Sequence, residues 1–262
     1  MISFNRLGNL GRLGNQMFQY AAIKGIASYH GHEWCIPPKE AFGQEDKKVL
    51  GDIDNTIYDV FKLGNHKQGF CRNSMVQEST HAFDSNLYEN CPDNVDFLGY
   101  FQTHKYFENI QDEIRKDFTF SDHIVESCEG IIDNPECISV HIRRGDYVNL
   151  QDHHPLQTVD YYEKALHYFP HTPMIVFSDD PEWCKEQSIF QSDDVLISEG
   201  NSTGIDLYLM SKCNYHIIAN SSFSWWGAFL ANSRQVVAPK NWFGPLQDVD
   251  TSDKYLNNWV HI

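Results

Sequence analysis

The second half of the sequence alternates short apolar segments with amphipathic ones, and this alternation restricts the fold more than any other feature. Strand-like runs lie at residues 138–142, 174–178 and 235–238, and a helical pattern covers residues 158–169, where Thr158 suits the N-cap. Strands that alternate with helices along a chain form a parallel sheet with helices on both faces. The sequence therefore predicts an α/β fold for this half.

The other segments of the second half fit the same scheme. Pro181 follows the strand at 174–178 and suits the first position of a helix. Two more strands are predicted at 195–197 and 215–219, and two more helices at 204–213 and 222–231. In the helix at 158–169 the spacing places four side chains inward, namely Val159, Tyr162, Leu166 and Phe169.

The first half is harder to interpret. Glycines precede a helical pattern at residues 15–29, so we predict a tight loop, Gly11 to Asn15, that leads into a helix with Asn15 as N-cap. A strand at 97–101 and a helix at 106–118 follow later. Residues 31–95 are polar and interrupted by prolines, so only short helices and connections are expected there.

The chain divides into two predicted lobes. Residues 120–134 are acidic and rich in turn-forming residues, which is typical of a domain boundary. We therefore predict an N-terminal lobe at residues 1–125 and a C-terminal lobe at 126–262. A chain of 262 residues has room for two such domains.

Charge and cysteine content exclude several classes of protein. The formal net charge of -16 argues against general nucleic-acid binding, which needs a positive face. The seven cysteines are scattered without a C-x-x-C pair, which argues against a disulfide framework or a structural zinc site and favours a reducing compartment. No apolar stretch reaches the ~20 residues of a membrane span, and residues 1–16 lack the apolar core of a signal peptide. We expect a cytoplasmic protein without an integral membrane segment.

Two arginines stand directly after the predicted strand at 138–142, in the stretch ISVHIRRGDYV. In an acidic chain, Arg143 and Arg144 are suited to hold a diphosphate, because a guanidinium matches phosphate oxygens bidentately. Strand residues alternate faces, so only one arginine need point towards a ligand. The alternative is that one or both pair with nearby carboxylates such as Asp146. An adhesion role for the tripeptide RGD is disfavoured, because it follows a buried strand in a chain without a recognisable secretion signal.

Hydroxyl groups gather at a second strand end, in the stretch Asn220 to Ser224. They precede a predicted helix, whose N-terminus attracts anions. The alternative is simple capping by Ser221 or Ser222. The aromatic pair Trp225 and Trp226 is interpreted as core.

Several aspartates are candidates for polar contacts. Asp179 and Asp180 follow a strand and suit ribose hydroxyls or a metal ion. Asp206 could accept hydrogen bonds from guanine amino groups, or could be an exposed or capping residue. The Asp-x-Asp pattern of metal-dependent sugar transferases occurs at Asp52/Asp54 and Asp248/Asp250, away from clear strand ends, so neither pair is a good metal candidate.

Four blocks of sequence together are specific for one family. They are GRLGNQMFQYAA, SVHIRRGDYV, IVFSDD and IIANSSFSWWGAFLA, they span residues 8 to about 240, and APKNWF follows them. In this order they resemble the α-1,2-fucosyltransferases, the inverting enzymes of glycosyltransferase family 11. The resemblance implies a GT-B type fold, with two Rossmann-like lobes and a cleft between them. It leaves open whether the C-terminal tail packs back on the N-terminal lobe.

The resemblance also implies roles for individual residues. Arg143 corresponds to the arginine on the donor pyrophosphate, His141 lies against the nucleoside, and Asp206 resembles a guanine-binding aspartate. The general base is open: Asp146 is a candidate base or a brace for the arginines, and His154 is a candidate that contacts either substrate. The remaining implied substrate-binding residues are Gly14, Asn15, Arg144, Asp179, Asp180, Ser221, Ser222, Phe223 and Ser224.

The implied reaction is transfer of L-fucose from GDP-fucose to the 2-hydroxyl of a galactose-containing glycan, without a metal or another cofactor. Such an enzyme would serve polysaccharide biosynthesis. The alternatives are a GDP-fucose-dependent enzyme of another regiochemistry, α-1,6 or protein-directed, and a non-catalytic sugar- or nucleotide-binding protein. Residues 31–95 resemble the family least, so they leave the acceptor undefined.

Overall fold

The computed structural model describes residues 1–43, 55–132, 134–247 and 249–262. The chain forms two compact units, the first made of Met1–Ser121 with Val249–Lys254 and the second of Asp122–Asp248 with Tyr255–Ile262. Within the described ranges, no helix has the length and apolar character needed to cross a bilayer.

The first unit contains a parallel sheet, with five strands among the described residues in the order β3-β2-β1-β5-β4. The short helices predicted for 31–95 are confirmed at Ile57–Val60 and Ser85–Asn90, but the prediction missed β2, β3 and β4, which also lie there. Their shortness, and the exposure of β3 and β4, leave no apolar alternation to recognise. The strands are β1 Ile2–Ser3, β2 Trp34–Ile36, β3 Lys67–Gln68, β4 Ser74–Gln77 and β5 Val95–Leu98.

The longest helix among the described residues of the first unit is α1, which packs against the 3-10 segment His104–Ile110. This helix starts at Leu13 with Arg12 at the N-cap, so Asn15 lies in its first turn and does not cap it as predicted. A Cβ at Gly25 would lie 2.0 Å from the carbonyl oxygen of Tyr106, so glycine permits α1 to pack directly on that backbone. The α-helices are α1 Leu13–His30, α2 Ile57–Val60, α3 Ser85–Asn90 and α4 Gln111–Asp117, and the 3-10 segments are Lys39–Ala41, His104–Ile110 and Ser252–Lys254.

The second unit also contains a parallel sheet, with six strands among the described residues in the order β11-β10-β9-β6-β7-β8. Counted within this unit, the order is 6-5-4-1-2-3, which is the doubly wound arrangement of dinucleotide-binding domains. The structure confirms the bounds predicted for β6, β7, β8 and β10. The strands are β6 Ile138–Ile142, β7 Met174–Ser178, β8 Val195–Ile197, β9 Tyr215–Ile217, β10 Gln235–Ala238 and β11 Val260–His261.

Helices cover both faces of this sheet. Pro181 occupies the first turn of its helix, and the Thr158 hydroxyl accepts from the backbone N–H of Tyr161, as predicted. The predicted inward face was wrong at Val159, because Tyr161 and Ala165 are buried beside Tyr162 instead. The helices are α5 Asp122–Ser127, α6 Val159–Leu166, α7 Pro181–Glu186, α8 Thr203–Met210 and α9 Ser222–Leu230, and the 3-10 segments are Asp146–Asn149 and Ser188–Phe190.

Alternation along β6 separates two hydrophobic clusters. Ile138, Val140 and Ile142 pack with α6 and α7, whereas Cys137 packs with α8 and with Phe223 of α9. His141 shares the second face, since its ring centroid lies 5.6 Å from that of Phe223. Trp225 and Trp226 are buried, which confirms that they belong to the core.

A buried histidine in β9 makes the stability of this unit depend on pH. Burial lowers the pKa of His216 from 6.5 to about 4, so the folded state holds it neutral while the unfolded chain protonates below pH 6.5. Stability should therefore fall as pH decreases through this window. We expect the difference in unfolding free energy between wild type and His216→Gln to shrink by about 2 kcal/mol from pH 7 to pH 5. Denaturant titrations at both pH values measure this, with the exposed His123→Gln as control. A difference that does not change with pH would contradict it.

Candidate active site

The candidate site lies where the strand order of the second unit reverses, between β6 and β9. Ligands of doubly wound sheets bind at the carboxyl ends of the strands beside such a switch point. Arg143 follows β6, and Asn220 lies between β9 and α9. Two contacts join these segments: the Tyr147 hydroxyl donates to the Asn220 carbonyl oxygen at 3.1 Å, and the His141 ring contacts Phe223. The structure thus brings the arginine motif and the start of α9 together.

The two arginines occupy different environments. Arg143 Nη1 lies 2.7 Å from Asp179 Oδ2, and its Nη2 donates to Asp146. Arg144 Nε donates to Asp180 Oδ2 at 2.8 Å, and its guanidinium carbon lies 4.2 Å from the ring centroid of Trp183 in α7. Both arginines therefore pair with carboxylates, as the alternative interpretation held. Arg144 is directed towards α7, whereas Arg143 is close enough to His141 for its charge to lower the pKa of that histidine.

The acidic pair after β7 organises the arginines. Asp179 Oδ1 accepts from the backbone N–H of Arg144 at 2.8 Å while its Oδ2 pairs with Arg143. Asp180 caps α7 by accepting from Trp183 N at 3.2 Å, and the hydrogen bond from Arg144 holds the pKa of Asp180 below its usual value. A Cβ at Gly145 would lie 2.4 Å from Asp179 Oδ2, so this contact requires glycine. Contact of the pair with ribose or a metal ion stays a prediction.

His141 is a buried polar group that points to a ligand. Its side chain is 6% exposed, and its Nδ1 has no hydrogen-bond partner among the described residues. Burial, and secondarily the charge of Arg143, lower the pKa of His141 to about 3, so the ring is neutral. A buried unpaired nitrogen is costly, which is a feature of functional sites. Contact of His141 with the nucleoside stays a prediction.

The start of α9 is capped by a serine of the predicted stretch. The Ser221 hydroxyl accepts from Phe223 N at 3.3 Å, so the capping interpretation holds for Ser221. The Ser224 hydroxyl lies 3.5 Å and 3.4 Å from the carbonyl oxygens of Ala219 and Ser221, and the side chain is buried. Any phosphate contact of Ser222 to Ser224 would therefore rely on the helix N-terminus more than on the Ser224 hydroxyl.

Asp206 is neither exposed nor a cap. It lies half-buried in the first turn of α8, whose N-cap is Ser202. The Ser198 hydroxyl donates to Asp206 Oδ1 at 2.7 Å, and Asn201 Nδ2 donates to the Ser198 hydroxyl at 2.9 Å. The adjacent Ile205 packs in the same cluster as Phe223. This places Asp206 near the face of the sheet that carries His141.

The two candidates for the general base have different surroundings. The Asp146 side chain is 51% exposed and is paired with Arg143, which suits a brace. The His154 ring stacks on Tyr147, with centroids 4.7 Å apart and planes 13° apart, and lies 6.0 Å from the Phe243 ring. Contact of His154 with a substrate stays a prediction.

Gly14 and Asn15 lie in the first unit, away in sequence from the residues above. Gly11 has a positive φ of 87°, which favours glycine, and Gly14 is buried within α1. Asn15 Oδ1 accepts from Gln102 Nε2 at 2.6 Å. The glycine-rich loop does lead into a helix N-terminus as predicted, and substrate binding by these residues stays a prediction.

The Asp-x-Asp pairs add little to the site. Asp52, Asp54 and Asp248 lie outside the described residues, and Asp250 accepts from Ser252 N at 2.8 Å. Within the part of the chain that the structure describes, no three His, Cys, Asp or Glu side chains are grouped to hold a metal ion.

Tyr147 is a residue of the site that was not predicted from the sequence, whereas Asn220 opened the predicted stretch Asn220 to Ser224 without a role of its own. Tyr147 contacts Arg143, His154 and Asn220. The Asn220 side chain is buried, accepts from Gln157 Nε2 at 3.1 Å and donates to the Trp242 carbonyl oxygen at 3.0 Å. No spacing in the sequence reveals the contacts of Asn220, because Tyr147, Gln157 and Trp242 are distant from it along the chain.

Each unit contains a parallel α/β sheet, and the fold is of the GT-B type seen in solved fucosyltransferase structures. The profile of glycosyl transferase family 11 matches residues 3–262, so the chain belongs to that family. This confirms the fold and the family that the sequence motifs indicated.

Individual proteins of known activity are similar over most of the chain. The alpha-1,2-colitosyltransferase of Escherichia coli is 34% identical, over 96% of this chain and 96% of that protein. The galactoside 2-alpha-L-fucosyltransferase Sec1 of Mus musculus is 27% identical, over 96% of this chain and 72% of its own. A crystal structure of the alpha-1,6-fucosyltransferase NodZ, soaked with GDP-fucose, has a TM-score of 0.53 at 14% identity, over 87% of this chain and 91% of NodZ. At 14% identity, the similarity to NodZ shows only that the fold is shared.

Proposed function

We propose that this glycosyltransferase transfers L-fucose from GDP-fucose to the 2-hydroxyl of a galactoside, with inversion and without a metal. The observation that carries the proposal is the position of Arg143, at the carboxyl end of β6 and beside the segment that starts α9. Two sequence relatives support the α-1,2 linkage. One is named for α-1,2 transfer of colitose, and the other for transfer of fucose to the 2-position of galactosides.

Arg143 and the N-terminus of α9 are suited to stabilise the leaving group. Cleavage of the fucose–phosphate bond develops negative charge on the diphosphate and positive charge on the sugar. The carboxylates of Asp146 and Asp179 engage two nitrogen atoms of Arg143, and a guanidinium has five N–H donors in all, so donors remain for phosphate oxygens. One preorganised donor of this kind lowers the barrier by ~3–4 kcal/mol.

Asp206 and the neutral imidazole of His141 complete the proposed donor site. His141 provides a neutral ring nitrogen beside Arg143, so it adds no repulsion against the cation. Asp206 accepts hydrogen bonds and would face the amino groups of guanine, held by Ser198. Asp146 serves as a brace, because its carboxylate is paired with the Arg143 guanidinium. The acceptor hydroxyl attacks from the face opposite the diphosphate as the fucose–phosphate bond breaks, which inverts the configuration, and its proton passes to water or to His154, the other candidate base.

One observation favours a second donor. The Escherichia coli relative, at 34% identity, transfers colitose by name, so a colitose donor is the second candidate. The α-1,6 and protein-directed alternatives draw only on likeness of fold. A non-catalytic binding protein remains distinguishable, because it would bind the nucleotide without turnover.

The test is an incubation of the protein with EDTA, GDP-fucose or the corresponding colitose donor, and a panel of galactose-terminated acceptors. We expect fucose in α linkage at O2 of galactose, identified by NMR of the product. Loss of activity in EDTA, restored by a divalent cation, would contradict metal independence. Linkage at another oxygen would contradict the regiochemistry, and transfer of colitose alone would replace the donor.

A further inference from the structure

Tyr147 connects the two strand ends that flank the switch point. It lies in the 3-10 turn Asp146–Asn149, which is separated from the two arginines by Gly145. Its hydroxyl donates to the Asn220 carbonyl oxygen at 3.1 Å, and its ring centroid lies 5.4 Å from the guanidinium carbon of Arg143. One side chain thus reaches from the arginine after β6 to the segment before α9.

The hydroxyl end of Tyr147 is held by a rigid acceptor. Asn220 is 2% exposed, and its side chain is fixed by Gln157 and by the Trp242 carbonyl. Burial raises the pKa of Tyr147 to about 12, so the hydroxyl remains a donor in the neutral range. The Asn220 carbonyl therefore defines where the tyrosine ring lies.

The ring of Tyr147 is also packed on its own unit. His154 stacks on it, and Phe243 lies next to His154. Backbone hydrogen bonds hold this arrangement together, since Gly244 N donates to the His153 carbonyl at 2.9 Å. The tyrosine ring is thus restrained in several directions before it contacts Arg143.

The carboxylate partners of Arg143 differ in how firmly they hold it. Asp179 is itself anchored, because its Oδ1 accepts from the backbone N–H of Arg144 while its Oδ2 pairs with Arg143. Asp146 is half exposed, and a flexible exposed partner fixes a guanidinium poorly. An aromatic face adds a directional contact, because guanidinium groups are attracted to a ring. The ring of Tyr147 contacts Arg143, and the hydroxyl of the same side chain is hydrogen-bonded to Asn220 before α9. This contact therefore connects Arg143 to the start of α9.

We propose that Tyr147 is a positioning residue of the donor site, which holds the Arg143 guanidinium towards the diphosphate beside the N-terminus of α9. The inference rests on the proposed function in one respect, the identity of the anion as guanosine diphosphate. It assigns to Tyr147 no contact with the substrate. Its effect should therefore be transmitted through Arg143.

The test compares Tyr147→Leu, which removes ring and hydroxyl, with Tyr147→Phe, which keeps the ring. For Tyr147→Leu we expect about tenfold weaker GDP binding by calorimetry and a kcat about 10- to 30-fold lower, at an unchanged acceptor KM. For Tyr147→Phe we expect GDP affinity within about threefold of wild type and a kcat about threefold lower. The matched control is Tyr168→Leu, since Tyr168 is exposed and lies after α6.

A double-mutant cycle separates positioning from a general structural role. In the Arg143→Ala background, Tyr147→Leu should not weaken GDP binding further, because the group it positions is gone. Equal losses in both backgrounds, or wild-type affinity and kcat in Tyr147→Leu, would overturn the inference. If Tyr147→Leu melts well below wild type, the cycle is repeated with Tyr147→Phe in its place and with kcat as the measured quantity. Equal losses of kcat in both backgrounds would then overturn the inference. A wild-type protein that binds no GDP would overturn the proposed function, and with it this inference.

Discussion

Replacement of Arg143 by alanine should lower kcat/KM for transfer by about 100- to 1,000-fold while the protein stays folded, as expected for loss of one preorganised donor to a developing anion. Arg143 follows β6 at the switch point, and its charge is directed by Asp179, Asp146 and Tyr147. In an acidic chain no general positive field replaces it, since the net charge is -16. Initial-rate kinetics at saturating acceptor measure the effect.

The matched control for this variant is Arg234→Ala. Arg234 is 62% exposed and pairs with Glu136, so its loss should change neither turnover nor GDP affinity. Thermal unfolding of Arg143→Ala should remain within a few degrees of wild type, because the side chain is partly exposed. Wild-type turnover in folded Arg143→Ala would show that the proposed site is wrong.

Replacement of Lys254 by methionine should destabilise the first unit by about 3 kcal/mol, because it leaves two carbonyl oxygens without their buried donor and removes the positive charge that acts on Glu78. Lys254 is 2% exposed, and its Nζ donates to the carbonyl oxygens of His81 at 3.0 Å and Gln102 at 2.8 Å. Burial lowers the pKa of Lys254 to about 8, and the charge of Glu78 opposes this effect. Methionine would leave the carbonyl groups unpaired and Glu78 uncompensated.

Glu78 makes this loss serious, because it supports a strained turn. Its carboxylate accepts from Tyr100 N at 2.8 Å and Phe101 N at 3.0 Å, and Phe101 has a left-handed φ of 52°. Burial raises the pKa of Glu78, so its charge depends on the nearby lysine. The melting temperature of the transition that reports on the first unit should fall by roughly 6–12 °C.

Two further variants test this account of Lys254. The exposed Lys116→Met in α4 should melt like wild type. Glu78→Gln combined with Lys254→Met should recover part of the lost stability, because no buried charge is then left unpaired. A double variant less stable than Lys254→Met, or a single variant as stable as wild type, would contradict the assignment.

Sequence patterns predicted the second unit far better than the first. Strands β6, β7 and β10 are apolar runs of four or five residues, buried for the most part, and their composition marks them directly. In the first unit β1 and β3 have two residues each, and β3 is exposed. Such strands carry no periodic signal, so only their pairing partners define them.

The candidate site shows the same limit. The motif residues Arg143, His141 and Ser221 could be placed at one edge, because parallel strands end on the same side of a sheet. The sequence did not indicate that β9 would be the neighbour of β6, nor that Tyr147 would reach Asn220 across that junction. It also left the arginine partners open, since several carboxylates stood at suitable spacings.

The sequence by itself determined the class of fold, the family and the chemistry available at each strand end, because those depend on local composition and on short motifs. Tertiary structure decided which arginine turns towards α7 and which lies near His141, and it placed Lys254 beside Glu78 in the first unit. These outcomes depend on contacts between residues that are distant along the chain. Packing and the pairing of buried charges select such contacts, and no local pattern records them.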